Sequence, residues 1–122
     1  MGKVVSNAVL DAALNVVASS NLMVVLPSEP ASFAQAQSSK LAESPMTGGD
    51  FVISDGAVSG RRVTIAARNG LSVTASGLAN HVALLNTATS ALLYVTTAPA
   101  QSITSGGTVN VASWQIEIAD PA

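Results

Sequence analysis

The sequence predicts a mainly β fold, an antiparallel β-sandwich or small barrel of about seven strands, with one α-helix at the N-terminal end. Three observations predict it. Across residues 60–119 every apolar run is short, rich in Val, Ile, Leu and Thr, and followed by a turn cluster, which is how antiparallel strands are written. Residues 62–68 alternate strictly: Val63, Ile65 and Ala67 point one way, and Arg62, Thr64, Ala66 and Arg68 the other, as a half-buried strand requires. Only the first twenty residues carry apolar side chains at helical spacing. With 122 residues the chain suits one domain. It divides into a helix at 6–19, a long loop or arm at 27–49 and a β-rich core at 50–119.

The elements follow in order. Ser6 or Asn7 can cap the helix, because both side chains accept from free backbone amides. Val9, Ala13, Val16 and Val17 recur at helical spacing beside Leu10 and Leu14, so the predicted buried face is wide, with Asp11 and Asn15 marking the opposite one. The run LMVVL at 22–26 suits a strand buried on both faces, and Pro27 stops it. The connection 27–49 carries Pro27, Pro30, Pro45, Gly48 and Gly49, with one helical turn expected near 31–36. Loops of this length inside a domain are uncommon. It reads either as an arm reaching a neighbouring subunit or as a surface loop.

A short strand at 51–54 closes on Asp55-Gly56. After the alternating strand, Asn69-Gly70 predicts a two-residue hairpin, since both residues tolerate positive φ. Residues 71–75 return and Ser76-Gly77 turns again. Strands at 80–85 and 91–96 are joined by the polar 86–90, and Pro99 is expected to break the chain. In 108–119, Val109 and Val111 share one parity and Trp114, Ile116 and Ile118 the other. The shift at Ala112-Ser113 predicts a β-bulge or a bend.

Composition narrows the function. Hydrophobic residues make up 48% of the chain, enough for a real core, while aromatics are only 3%, so that core is aliphatic. Charged residues are 10%, against roughly 25% in ordinary globular domains. So little surface charge protects poorly against association, which predicts a homo-oligomer, dimer or trimer, with part of the surface covered by other subunits. A net charge of −2 offers no basic footprint for nucleic acid. With no cysteine there is neither a disulfide nor a thiolate metal site. Asn7, Asp11 and Asn15 interrupt the first apolar run, which therefore reads as a packed helix rather than a signal peptide. No apolar run approaches the roughly 20 residues that span a bilayer, so neither a membrane partner nor secretion is expected.

No catalytic signature is present. Between Arg68 and Glu117 there is no Asp, Glu, Lys or Arg. His81 sits mid-strand with no carboxylate nearby in sequence, and a catalytic pair would need Asp50, Asp55 or Glu117 brought to it. Its ordinary reading is a structural or interface histidine. Asp50 and Asp55 flank a turn and can accept backbone amides there, but calcium wants a denser set of oxygens. Gly48-Gly49 and Gly106-Gly107 lack the strand–loop–helix setting of a phosphate cradle and read as turns. Trp114, the only tryptophan, reads as a core anchor whose N–H finds a carbonyl, with an interface hot spot as the other reading. The expectation is a non-enzymatic chain with no metal and no cofactor.

One resemblance sharpens this. The chain has a short N-terminal helix, an apolar strand leading into Glu29-Pro30-Ala31, and a Ser/Ala-rich loop. SGLANHVALLNTATSALLYVTT follows at 76–97, and SITSGGTVNVASWQIEIADP at 102–121. This pattern resembles small virion proteins of tailed bacteriophages, over most of the chain and through strand patterns rather than catalytic motifs. The resemblance implies a virion structural protein, made in the host bacterial cytoplasm, and most directly a capsid decoration or cement protein that binds the major capsid protein lattice. A tail, connector or fibre component and a host-surface-binding module are the alternatives. The residues expected at subunit interfaces are Pro27, Glu29, Pro30 and Phe33 on the arm, and Arg61, Arg62 and Arg68 on the alternating strand.

Overall fold

The computed structural model describes residues 6–119. It is mainly β. Helix α1 (Asn7–Ala18) comes first, and the Ser6 hydroxyl accepts from the Val9 amide at 3.3 Å, as an N-cap should. Nine strands follow among the described residues: β1 (Leu22–Leu26), β2 (Ala42–Pro45), β3 (Phe51–Asp55), β4 (Arg61–Ile65), β5 (Arg68–Ser72), β6 (Gly77–Asn86), β7 (Ala91–Ile103), β8 (Thr108–Val111) and β9 (Trp114–Ile118). The excess over seven has two sources: β2 lies inside the expected loop, and 108–119 divides into β8 and β9.

Every ladder is antiparallel, in three sheets ordered β2-β1-β6-β7, β3-β4-β9 and β5-β8. The sheets are continuous through three bent strands. β4 runs through Ala66 and Ala67 into β5, and β8 runs through Ala112 and Ser113 into β9. These two bent strands pair along their length, from Arg61↔Ile118 through Ile65↔Trp114 to Ser72↔Thr108. β2 likewise passes through the 3-10 turn Gly48–Asp50 into β3. An Ala42↔Val73 bridge and the Thr74 amide on the Leu41 carbonyl join β2 to the end of β5. The strands thus go round in the order β7, β6, β1, β2 with β3, β5 with β4, and β8 with β9. No ladder joins the last position to the first, so the barrel does not close.

The bends have side-chain causes. At the β2–β3 corner the Asp50 carboxylate accepts from the Thr47 amide at 2.8 Å and pairs with Arg68. At the β8–β9 corner the Ser113 hydroxyl donates to the Ile65 carbonyl at 2.8 Å. The predicted parity shift at Ala112-Ser113 is therefore a real bend. Asn69-Gly70, by contrast, makes no hairpin. Gly70 has φ +69° and sits where the β5–β8 register slips, its amide donating to Asn110 Oδ1 at 2.7 Å. Its positive φ absorbs an irregularity within the strand instead of reversing it. Pro99 does not break the chain either; it lies inside β7, an edge strand, where a missing N–H is tolerated.

The barrel interior holds two joined, mostly aliphatic clusters. Leu14, Met23, Phe51, Val63, Ile65 and Leu84 lead the first, and Val25, Leu41, Val73, Ile103 and Val109 the second. α1 packs on β3, β4 and β7 and closes one end. The expected face of this helix is corrected. Leu10 and Leu14 are buried, but Val9 and Val16 are 60% and 57% exposed, with Ala12 and Ala13 also outward. Asp11, expected in water, is turned towards the protein because Arg61 on β4 holds it at 2.8 Å.

The expected loop at 27–49 is corrected as well. The turn expected near 31–36 is a helix of seven residues, α2 (Phe33–Ser39), capped by the Ser32 hydroxyl accepting from the Gln35 amide at 3.1 Å, and the unexpected strand β2 follows. α2 lies on the outer face of the larger sheet, where Ala36 is fully buried and Phe33 packs with Val24, Leu26, Ala83 and Leu85.

Candidate functional site

The predicted interface residues fall into two groups. Pro27, Glu29, Pro30 and Phe33 belong to the α2 layer. Pro30 is buried and Phe33 packs on its own sheet, so of these four Glu29 is the fully outward one. Arg61, Arg62 and Arg68 lie on the bent β4–β5 strand, and each is engaged within the chain. Arg61 meets Asp11 at 2.8 Å and Asp55 at 2.7 Å. Arg62 reaches Ser54 Oγ and Gln115 Oε1, each at 3.4 Å. Arg68 pairs with Asp50.

These pairings set the local electrostatics. The Thr47 amide, with Arg68 beside it, holds the Asp50 carboxyl below the usual carboxylate range, although burial pushes the other way. The hydrogen bonds that Arg61 donates to Asp11 and then to Asp55 raise its guanidinium above its ordinary value. Glu117 accepts from the Ala57 amide at 2.6 Å. Most of the described charge thus lies on α1, β3, β4, β9 and the β3–β5 corner, with a separate Lys40–Glu43 pair beside β2, while β6, β7 and β8 carry none.

The other predicted candidates resolve as follows. His81 is half-buried and its Nδ1 lies 2.6 Å from Asn80 Oδ1. Neither Asp50, Asp55 nor Glu117 is brought to it as a hydrogen-bonded partner; Asp50 pairs with Arg68, Asp55 with Arg61, and Glu117 accepts from the Ala57 amide. Among the described residues, no three His, Cys, Asp or Glu side chains gather in a metal-holding group. Trp114 sits at the edge of the core, its ring 5.9 Å from that of Tyr94 and tilted by 33°. The expected carbonyl partner is missing: Nε1 is buried without an acceptor.

Trp114 marks a feature the sequence reading did not contain, the unclosed seam of the barrel. Between β7 and the β8–β9 corner lie two adjoining cavities of about 250 and 280 Å³. They share Val82, Ala98, Pro99, Val111 and Ala112 as lining. No charged side chain lines either, and His81 is the one titratable group at the rim. Nothing converges there to move a proton or hold an anion. What the seam offers is apolar surface, neutral polar groups and the edge of a long strand. The parity shift at Ala112-Ser113 was the available signal, since a strand that changes sheets leaves a gap beside it.

Comparison of the chain with family models, with curated proteins and with solved structures finds no match in any of the three.

Proposed function

We propose that this chain is a non-enzymatic virion structural protein, a decoration or cement protein that binds the assembled major capsid lattice of a tailed bacteriophage as a homo-oligomer and stabilises it. The resemblance of its strand patterns to small phage virion proteins suggests the setting. The observation that carries the reading is the division of the surface. Ion pairs tie α1, β3, β4 and the β2–β3 corner together, and β6, β7 and β8 are left uncharged beside an open seam. A neutral Ser, Thr and Ala surface suits broad, shape-based contacts. Each contact is modest, and repetition over a symmetric lattice supplies the avidity. The outward residues of the 27–49 segment, Glu29 among them, face a neighbouring subunit in this reading.

The test is the copy number of the chain in purified particles of the virus that encodes it, measured by mass spectrometry against the major capsid protein. Hundreds of copies per particle is the expected result. Six to a few tens would move the protein to the connector, tail or fibres. Its absence from particles would overturn the structural role.

A further inference from the structure

We propose that Asn69 is a self-modification site: in the folded protein it deamidates through a cyclic imide formed with the Gly70 nitrogen, and Asn110 on the facing strand restrains the reaction. The inference is independent of the virion role proposed above.

The chemistry belongs to the Asn-Gly pair. The backbone nitrogen of the following residue attacks the asparagine Cγ. A new N–C bond closes a succinimide ring, and the side-chain nitrogen leaves as ammonia, taking the proton that the attacking nitrogen gives up. Water then adds to either imide carbonyl. One opening leaves aspartate; the other leaves isoaspartate, in which the chain runs through the former side chain. Water is the only co-reactant. A side chain on the following residue crowds the attacking nitrogen and narrows its backbone freedom, so glycine is the permissive neighbour.

The chain has seven asparagines, and Asn69 alone precedes a glycine. The other six precede Ala, Val, Leu, His or Thr, and five of them are also held in place. Asn7 and Asn15 lie in α1, where the backbone is fixed in helical form. Asn21 is bonded to Thr87 through both ends of its amide. Asn86 is bonded to Ser19, Ala88 and Thr89. Asn80 Oδ1 lies 2.6 Å from His81 Nδ1. Asn69 is exposed and takes part in none of these bonds.

Ring closure needs the Gly70 nitrogen to turn towards Cγ, which a regular ladder forbids. β5 is not regular there. Arg68 stands opposite Val111 and Leu71 opposite Val109, so Asn69 and Gly70 together face Asn110 alone. Gly70 has φ +69°, and the space where its Cβ would stand is open. One tether remains: the Gly70 amide donates to Asn110 Oδ1 at 2.7 Å. The imide nitrogen carries no hydrogen, so this bond is given up when the ring closes. That is how Asn110 restrains the reaction. The same irregularity accommodates the product. Isoaspartate adds one backbone carbon where β5 already sets two residues against one. Either product places a carboxylate on a pair of strands that has none.

The test follows the folded protein in warm, mildly alkaline buffer by peptide mapping with mass spectrometry and by isoaspartyl methyltransferase labelling. A guanidinium-unfolded sample is the reference. Conversion in the folded sample is expected at Asn69 and within roughly tenfold of the unfolded rate, because one hydrogen bond of ordinary strength has to open. Asn110→Ala changes an exposed position and should speed the folded reaction by roughly two- to tenfold while leaving the unfolded rate unchanged. Asn69→Gln, whose longer side chain closes a ring poorly, should keep the fold by far-UV circular dichroism and lose the labelling. Folded conversion slower than that tenfold limit, or none, overturns the proposal. So does labelling that persists in Asn69→Gln. A folded Asn110→Ala protein that converts no faster than the parent overturns the restraint assigned to Asn110.

Discussion

Replacing Asp50 with Asn removes the charge from the corner that turns β2 into β3. One carboxylate oxygen of Asp50 accepts from the Thr47 amide at 2.8 Å and the Thr47 hydroxyl at 3.2 Å, and pairs with Arg68 across from the β4–β5 bend. The side chain is only 14% exposed, so water replaces these partners poorly. Asn keeps an acceptor oxygen for the amide but cannot hold the guanidinium as an ion. The loss is the charge-assisted part of these bonds, about 1–2 kcal/mol. Unfolding entropy of about 2.1 cal/mol/K per residue gives roughly 0.26 kcal/mol/K for the whole chain, so Tm falls by about 4–8 °C. The difference depends on pH with a fixed sign. Asp50 holds its proton less tightly folded than unfolded. Its stabilisation is therefore complete above the ordinary carboxyl value of about 3.9, and is lost as pH falls through the lower, folded value. Calorimetry of both proteins from neutral to acid pH should show the gap in Tm at pH 7 and its closure below about pH 4. An equal Tm at neutral pH, or a gap that ignores acid, would refute the idea that this carboxylate fastens the corner.

Further predictions concern α1 and the glycines. Leu14→Ala empties a site that is 1% exposed in the main core and should cost about 2–5 kcal/mol in urea unfolding, whereas Val16→Ala, on the outward stripe, should stay within about 0.5 kcal/mol for the monomer. The opposite ranking would restore the face the sequence predicts. Gly60→Ala places a methyl against the Ile118 carbonyl at φ +72° and should unfold or strongly destabilise the protein. Gly70→Ala has a similar φ of +69° but open space around it, so its cost should be confined to about 1 kcal/mol of backbone strain. Equal losses at the two glycines would show that crowding at the β4–β9 end is not what demands Gly60.

The strands were legible where pattern is local. The continuous apolar run of β1, the alternation of β4 and the paired runs of β6 and β7 each announce themselves within ten residues. α1 was legible as a helix but not in its facing. Apolar side chains occupy nearly its whole circumference, from Ala8 and Val9 to Val17 and Ala18, so periodicity does not choose a side. The one acidic marker misleads, because Arg61, fifty residues on, draws Asp11 inward. α2 did carry a signal. Ser32 with Gln35 three residues later is a capping-box spacing, and Gln35 Oε1 accepts from the Ala31 amide at 2.5 Å. Among the surrounding prolines and serines only a single turn at 31–36 was legible, not the full helix Phe33–Ser39.

The seam was hidden for a different reason. Which edges remain unpaired follows from how far strands travel before they bend, and that is settled by contacts distant in sequence. Ser113 meets Ile65 and Arg68 meets Asp50 only once the corners have formed. The Arg68–Asp50 pair and the Ser113 bond to the Ile65 carbonyl meet where the strands bend, and beyond them β7 makes no ladder with β8 or β9. Weakening Asp50 or Arg68 should therefore loosen these bends as well as lower stability.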